Sequence, residues 1–244
     1  MYQNGGMFGK NGDIENQNQL YPVMNENPQL RWAFIRKVYT ILSIQMLLTV
    51  IVAAVVVFVD QIKHFFVATT PGLICYIVLI FLPLILMIPM YFWHKKHPIN
   101  LILLALFTVA IAIPIGLTCA FTKGRIILEA AILTAVVVVS LTLYTFWAAK
   151  RGKDFSFLGP FLFCGVIILM VFGLIQILFP LGKLSLMIYG ALGALIFSGY
   201  IIYDTDNLIK RFTYDEYVWA SVSLYLDIVN LFMSLLTILR AIDG

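Results

Sequence analysis

The sequence predicts an all-α fold, a polytopic membrane bundle of seven transmembrane helices whose last helix is central and carries a polar stripe. Three observations lead there. Of 244 residues, 62% are hydrophobic and only 11% are charged, whereas a soluble domain is about half apolar and about a quarter charged. Mean hydropathy is correspondingly high, at +0.98. Seven apolar runs alternate with short charged interruptions, and a helix needs roughly 20 apolar residues to cross a bilayer. The last run is the one that carries several polar residues at helical spacing. A soluble enzyme or a nucleic-acid binder is excluded, because the net charge of +4 comes mostly from cations in short loops, where they orient spans.

Taken in order, residues 1–30 are rich in Gly, Asn and Gln and lack an apolar signal core. They are expected to form a disordered cytosolic tail. Residues 31–244 then form one transmembrane domain, with spans at 38–59, 72–91, 99–121, 126–147, 157–179, 184–204 and 218–239. Pro83, Pro89 and Pro114 fall inside spans and predict kinks, since neighbouring helices can satisfy the freed carbonyls. Trp93, Trp147 and Trp219 mark span ends. Lys and Arg concentrate in the N-terminal tail and the loops after the second, fourth and sixth spans, which predicts a cytosolic N-terminus. Seven crossings put the C-terminus on the far side; a re-entrant last segment is the alternative, because that segment is the most polar. Cys75, Cys119 and Cys164 lie singly in apolar runs with no CxxC pair and are expected to be packed small residues.

Most of the 12 acids lie in the tail or loops, but Asp227 sits well inside the seventh span, Asp204 at the end of the sixth and Glu129 one turn into the fourth. A charged Asp near a span's centre costs about 3 kcal/mol on insertion scales, so such residues face a bundle interior or a wet cavity. Ser223, Asp227, Asn230, Ser234 and Thr237 recur at spacings of four, three, four and three and share one helix face. In the sixth span Gly190, Gly193, Phe197, Tyr200 and Asp204 likewise share a face, with small residues that admit a close neighbour. The short linker 207–217 makes these helices antiparallel neighbours, so Asp204 and Asp227 are expected to face each other toward the cytosolic side. Two carboxylates held close in a low dielectric do not both stay ionised without a cation. The pair therefore shares a proton or takes a metal, weak water-assisted calcium being the realistic case because calcium wants several hard oxygens; the alternative is an acid pair that merely pins two helices.

Auxiliary candidates are Asn230, Glu129, Asp206 and His94. Asn230 is a further oxygen ligand on the stripe. Glu129 either admits a cation or pairs with Arg125 one turn earlier. Asp206 lies about 200° round the helix from Asp204 and is expected to be a solvated helix-end charge. His94 is an interfacial residue that could reach toward the acids.

The segments SGYIIYDTDNLI and YVWASVSLYLDIVNLFMSLL, with RKVYTILSIQMLLTV and ILEAAILTAVVVVSLTLYTFWAAKRGKDFSFLG, resemble the transmembrane Bax inhibitor motif family, in its lifeguard or Golgi anti-apoptotic branch. The resemblance runs from about Arg31 to the C-terminus. It implies seven helices around a central last one, suppression of programmed cell death, and a pH-sensitive calcium leak from Golgi or ER, with the family's acid pair at Asp204 and Asp227. Bacterial members resemble a latch in which an arginine of the second helix pairs with these acids. Here that region reads YFWHKKHP, and His94 or Lys95 is the expected substitute.

Three functions compete on this reading. In the first the chain is a calcium leak or calcium-homeostasis regulator, with no enzyme activity and no cofactor beyond calcium and protons as transported or sensed ions. In the second it is an anti-apoptotic membrane protein that binds other membrane cell-death regulators without transport. The third and remote alternative is an intramembrane aspartyl protease, against which stands the absence of a Gly-x-Gly-Asp motif before Asp227.

Overall fold

The structure, a computed structural model, describes residues 27–179 and 181–243. The disorder expected of the tail falls on residues 1–26, outside that range, while 28–30 already belong to the first helix. Among the described residues there are eight α-helices and one 3-10 turn, and no strand: α1 Pro28–Phe58, α2 Asp60–Ala68, α3 Thr70–Trp93, α4 Ile99–Ala120, α5 Gly124–Lys150, α6 Leu158–Leu178, α7 Lys183–Lys210, the turn Tyr214–Glu216, and α8 Tyr217–Asp243. All except α2 and the isolated turn are long and apolar enough to cross a membrane, which gives the seven expected spans.

Helix limits differ from the apolar runs for an identifiable reason: hydropathy marks the bilayer, whereas hydrogen bonds and caps mark the helix. α1 begins ten residues before the expected span, with Asn27 accepting from the Gln29 amide at 2.9 Å and Pro28 at the first helical position. That extension buries Arg31, whose Nη1 donates to the Phe212 carbonyl at 2.6 Å and whose guanidinium stands 5.1 Å from the Tyr214 ring centroid. The start of α1 is thereby tied to the α7–α8 connection. Arg31→Ala is expected to lower folding stability by about 1.5–3 kcal/mol, the range for a charge-assisted hydrogen bond, against little change for the exposed Arg36→Ala. Thermal unfolding in detergent distinguishes the two.

α2 was not expected at all. Its sequence DQIKHFFVA is too short and too charged to span but has apolar residues on one side, as an interfacial helix does. The linker 207–217 is also shorter than the sequence suggested, because α7 continues to Lys210 and α8 starts at Tyr217.

α8 is central. It packs on α7, α5, α1 and α4, while α3 lies outside against α4 and α6 outside against α7. Its 27 residues rise about 40 Å at 1.5 Å each, enough to cross completely. The re-entrant alternative is overturned: Asp243 pairs with Lys123 at 2.5 Å and Lys183 Nζ donates to the Ile242 carbonyl at 3.3 Å, at the end opposite Tyr217. The other end gathers the start of α1, the 94–98 and 151–157 loops and the 211–216 connection, through Arg31 to Phe212, Lys210 to Lys153 and Lys95 to Asp215. It is the cation-rich end. All four tryptophans of the chain, Trp32, Trp93, Trp147 and Trp219, lie near it, as an interfacial aromatic belt would.

Candidate functional site

Close approach of α7 and α8 comes first, because it sets where their polar residues meet. A Cβ at Gly193 would stand 2.5 Å from Ser234 Oγ, and one at Gly190 would stand 2.8 Å from the Ser234 carbonyl oxygen and 2.7 Å from Ile238 Cγ1. Neither position has room for a side chain as the helices stand. The small-residue face expected from the sequence is therefore the contact face with α8.

About three to four turns nearer the cation-rich end, the same face brings Asp204 and Asp227 within hydrogen-bonding reach of each other. Asp227 is buried, one of its oxygens (Oδ2) has no donor among the described residues, and Asp204 is half-buried. Asp204 Oδ1 accepts from Asn207 Nδ2 at 3.3 Å, and Tyr200 lies one turn back on α7. Among the described residues no cation pairs directly with either acid; Arg211 stands one step away, its Nη1 donating to Asn207 Oδ1 at 2.6 Å. Asp227 lies ten residues after Tyr217, about 15 Å into the helix, and Asp204 six residues before Lys210, about 9 Å in. That depth matches the expected placement toward the cation-rich side.

The auxiliary residues do not gather round the pair. Asn230 Nδ2 donates to the Leu226 carbonyl at 2.8 Å, Ser234 Oγ to the Asn230 carbonyl and Thr237 Oγ1 to the Met233 carbonyl, so the donors of this part of the stripe go to their own helix backbone. Glu129 accepts from Arg125 Nε at 2.8 Å near the opposite end. His94 Nδ1 contacts the Tyr91 carbonyl at 2.7 Å, its ring leans on Trp219, and Lys95 approaches Asp215 at 3.9 Å. The expected substitution of the latch by His94 or Lys95 is therefore corrected. Both side chains sit at the membrane edge, where α3 ends, rather than at the depth of the acids. No cluster of three or more His, Cys, Asp or Glu occurs among the described residues, so any cation at the pair takes most of its oxygens from water or backbone.

Asp206 corrects its expectation in the other direction. It is fully buried, not solvated. Lys210 one turn on pairs with it, Arg211 Nη1 stands 3.6 Å away, and the Phe155 amide donates to its Oδ2 at 3.2 Å. Arg211 also holds Asp154 at 2.8 Å. These contacts pin the end of α7 to the α5–α6 loop and fix the helix rotation that presents Asp204 to α8. The Phe155 partner lies 51 residues upstream, which no local pattern reveals; the Asp206-to-Lys210 spacing of four was the available signal.

The Asp154 carboxyl, outside the spans, is held well below the usual carboxylate range by the Ser156 amide and by Arg211. A depressed folded pKa contributes stability that is complete above the unfolded value, about 3.9, and is lost as pH falls through the folded one. The clasp is accordingly unchanged between pH 6 and 8. Asp154→Asn, at a half-exposed pair, is expected to cost less than about 1 kcal/mol and to leave any pH response of the protein in that window where it was. Thermal unfolding and pH profiles of the variant check both statements.

A family model described as "Inhibitor of apoptosis-promoting Bax1" matches residues 31–244. The chain is 66% identical to Protein LIFEGUARD 2 of Arabidopsis thaliana, over 98% of this chain and 100% of that protein. It is 38% identical to Protein lifeguard 4 of Mus musculus, over 91% of this chain and 90% of that protein. It is also 38% identical to the Golgi anti-apoptotic protein of Vaccinia virus (strain Lister), over 89% of each.

Proposed function

This chain belongs to the Bax inhibitor family, and from that membership and its acid pair we propose that it regulates programmed cell death as a pH-sensitive calcium leak of intracellular membranes. The single observation behind the transport part is the contact between Asp204 and Asp227 within the spanning part of α7 and α8. Like charges in contact there need a proton or a cation between them, so proton or calcium occupancy biases one packing of α7 on α8 against another. The anti-apoptotic part is supported by the names of the family and of relatives from a plant, a mouse and a virus. The reading includes a cytosolic cation-rich end, by the positive-inside rule, and residence in Golgi or ER, for which the viral relative's name gives the hint.

The test is calcium flux through the purified protein in liposomes between about pH 6 and 8, a window that brackets carboxylates shifted by their surroundings. A leak whose rate varies with pH supports the proposal. No leak from a folded protein that still protects cells sinks the transport half and leaves a regulator that works by binding membrane partners, for which the lipid-facing sides of α3 and α6 are the available surfaces.

A further inference from the structure

A second buried polar group spans the bundle on the side of α8 away from the acids. Tyr225 stands two residues before Asp227, about 200° round the helix, and is fully buried against α1 and α4. Its phenol oxygen is 2.9 Å from Thr49 Oγ1 of α1. The Thr49 hydroxyl already donates to the Gln45 carbonyl at 2.8 Å, which makes Tyr225 the donor of that pair. One turn back on α1, Gln45 Nε2 donates to Thr108 Oγ1 of α4 at 3.1 Å, and Thr108 donates to the Leu104 carbonyl at 2.8 Å. Every hydroxyl hydrogen of the group is therefore committed, which leaves the second Nε2 hydrogen of Gln45 and a set of acceptors. The clearest is Gln45 Oε1, on a side chain 3% exposed, which has no hydrogen-bond partner among the described residues.

A buried amide oxygen left unpaired carries its full desolvation penalty, so the site calls for a small donor. Its chemistry chooses between the two small species that bind oxygens. Gln45, Thr49, Thr108 and Tyr225 are all neutral, and a bare cation with no counter-charge is expelled from a low-dielectric interior. Water is not. It offers two O–H donors and needs two to four polar partners. The geometry points to a resident water held between Gln45 Oε1 and the acceptor side of the Tyr225 phenol, in the seam of α1, α4 and α8. Thr108 is nine residues into α4 and Tyr225 eight into α8, both counted from the cation-rich end, or about 12–14 Å. This is the level of Asp227, so α8 is wetted on one face and titrates on the other at a single depth. The site stands independently of any calcium leak.

Hydroxyl-radical labelling of the full chain in lipid nanodiscs tests this, because radicals made from a resident water modify the side chains that line it. Tyr225 and its edge-on neighbour Phe107 are enclosed by protein, as are Leu231 and Leu236, which serve as dry controls. Tyr225 or Phe107 is expected to label at least about fivefold above the controls after correction for intrinsic reactivity, and Gln45→Leu or Thr49→Val to bring that labelling down to theirs. Labelling of wild-type Tyr225 and Phe107 no higher than the dry controls overturns the site. So does labelling that stays unchanged in both folded variants.

Discussion

Gly190→Leu is expected to prevent α7 from seating on α8, with loss of the monodisperse folded protein, and Gly190→Ala to cost about 1–3 kcal/mol, the usual range for overpacking. The neighbours of a Cβ there are the Ser234 carbonyl and the Ile238 amide as well as Ile238 Cγ1, and backbone cannot rotate aside. Gly193 differs, because its nearest neighbour is the Ser234 hydroxyl. Gly193→Ala should therefore be partly rescued by Ser234→Ala, whereas Gly190→Ala should not. Thermal unfolding of the wild type, the three single variants and the two doubles with Ser234→Ala forms two double-mutant cycles. Equal rescue at both positions would mean that the helices meet elsewhere.

The second large effect concerns the acids themselves. Asp204→Asn and Asp227→Asn each preserve volume and hydrogen-bonding capacity but remove one titrating group, so each is expected to abolish the pH dependence of flux. Because the two carboxyls act as one site, the double variant should resemble either single one rather than sum their effects. A buried charge without its partner is worth about 3 kcal/mol in a membrane, roughly a hundredfold in the ratio of two packings; the change in flux at the pH extreme is expected on that order. Two single variants with wild-type pH profiles would assign the acids to holding helices together.

The part of this arrangement that was legible in the sequence is the part written in local periodicity. Apolar runs gave seven spans because a bilayer imposes length on each helix separately. The acid pair was legible because Asp227 breaks an apolar run and because Gly190, Gly193 and Asp204 recur on one face, so the sequence marks both where the helices touch and what they bring. For Asn230 periodicity places the side chain on a face but does not say that its amide hydrogen goes to the carbonyl four residues back. Asp206 was misread because its burial depends on the α5–α6 loop as well as on Lys210. The burial of Arg31 left no local signal because its partner, the Phe212 carbonyl, is 181 residues away. Long-range backbone acceptors leave no trace in composition.

At the cation-rich end, Arg31, Lys95, Lys210 and Arg211 are engaged with the 211–216 connection, the 153–155 loop and Asp206. None of them is engaged with Asp204 or Asp227 among the described contacts. On the proposed reading a proton held between the two acids neutralises the pair.

Infrared difference spectroscopy of the protein in lipid, titrated between about pH 6 and 8, addresses that claim most directly, because a protonated carboxyl in an apolar site has its own carbonyl band. A pH-dependent band that disappears in both Asp204→Asn and Asp227→Asn, and persists in Asp154→Asn, is the predicted result. A band absent from the wild type, or one that survives in either acid-pair variant, would contradict a proton shared between Asp204 and Asp227.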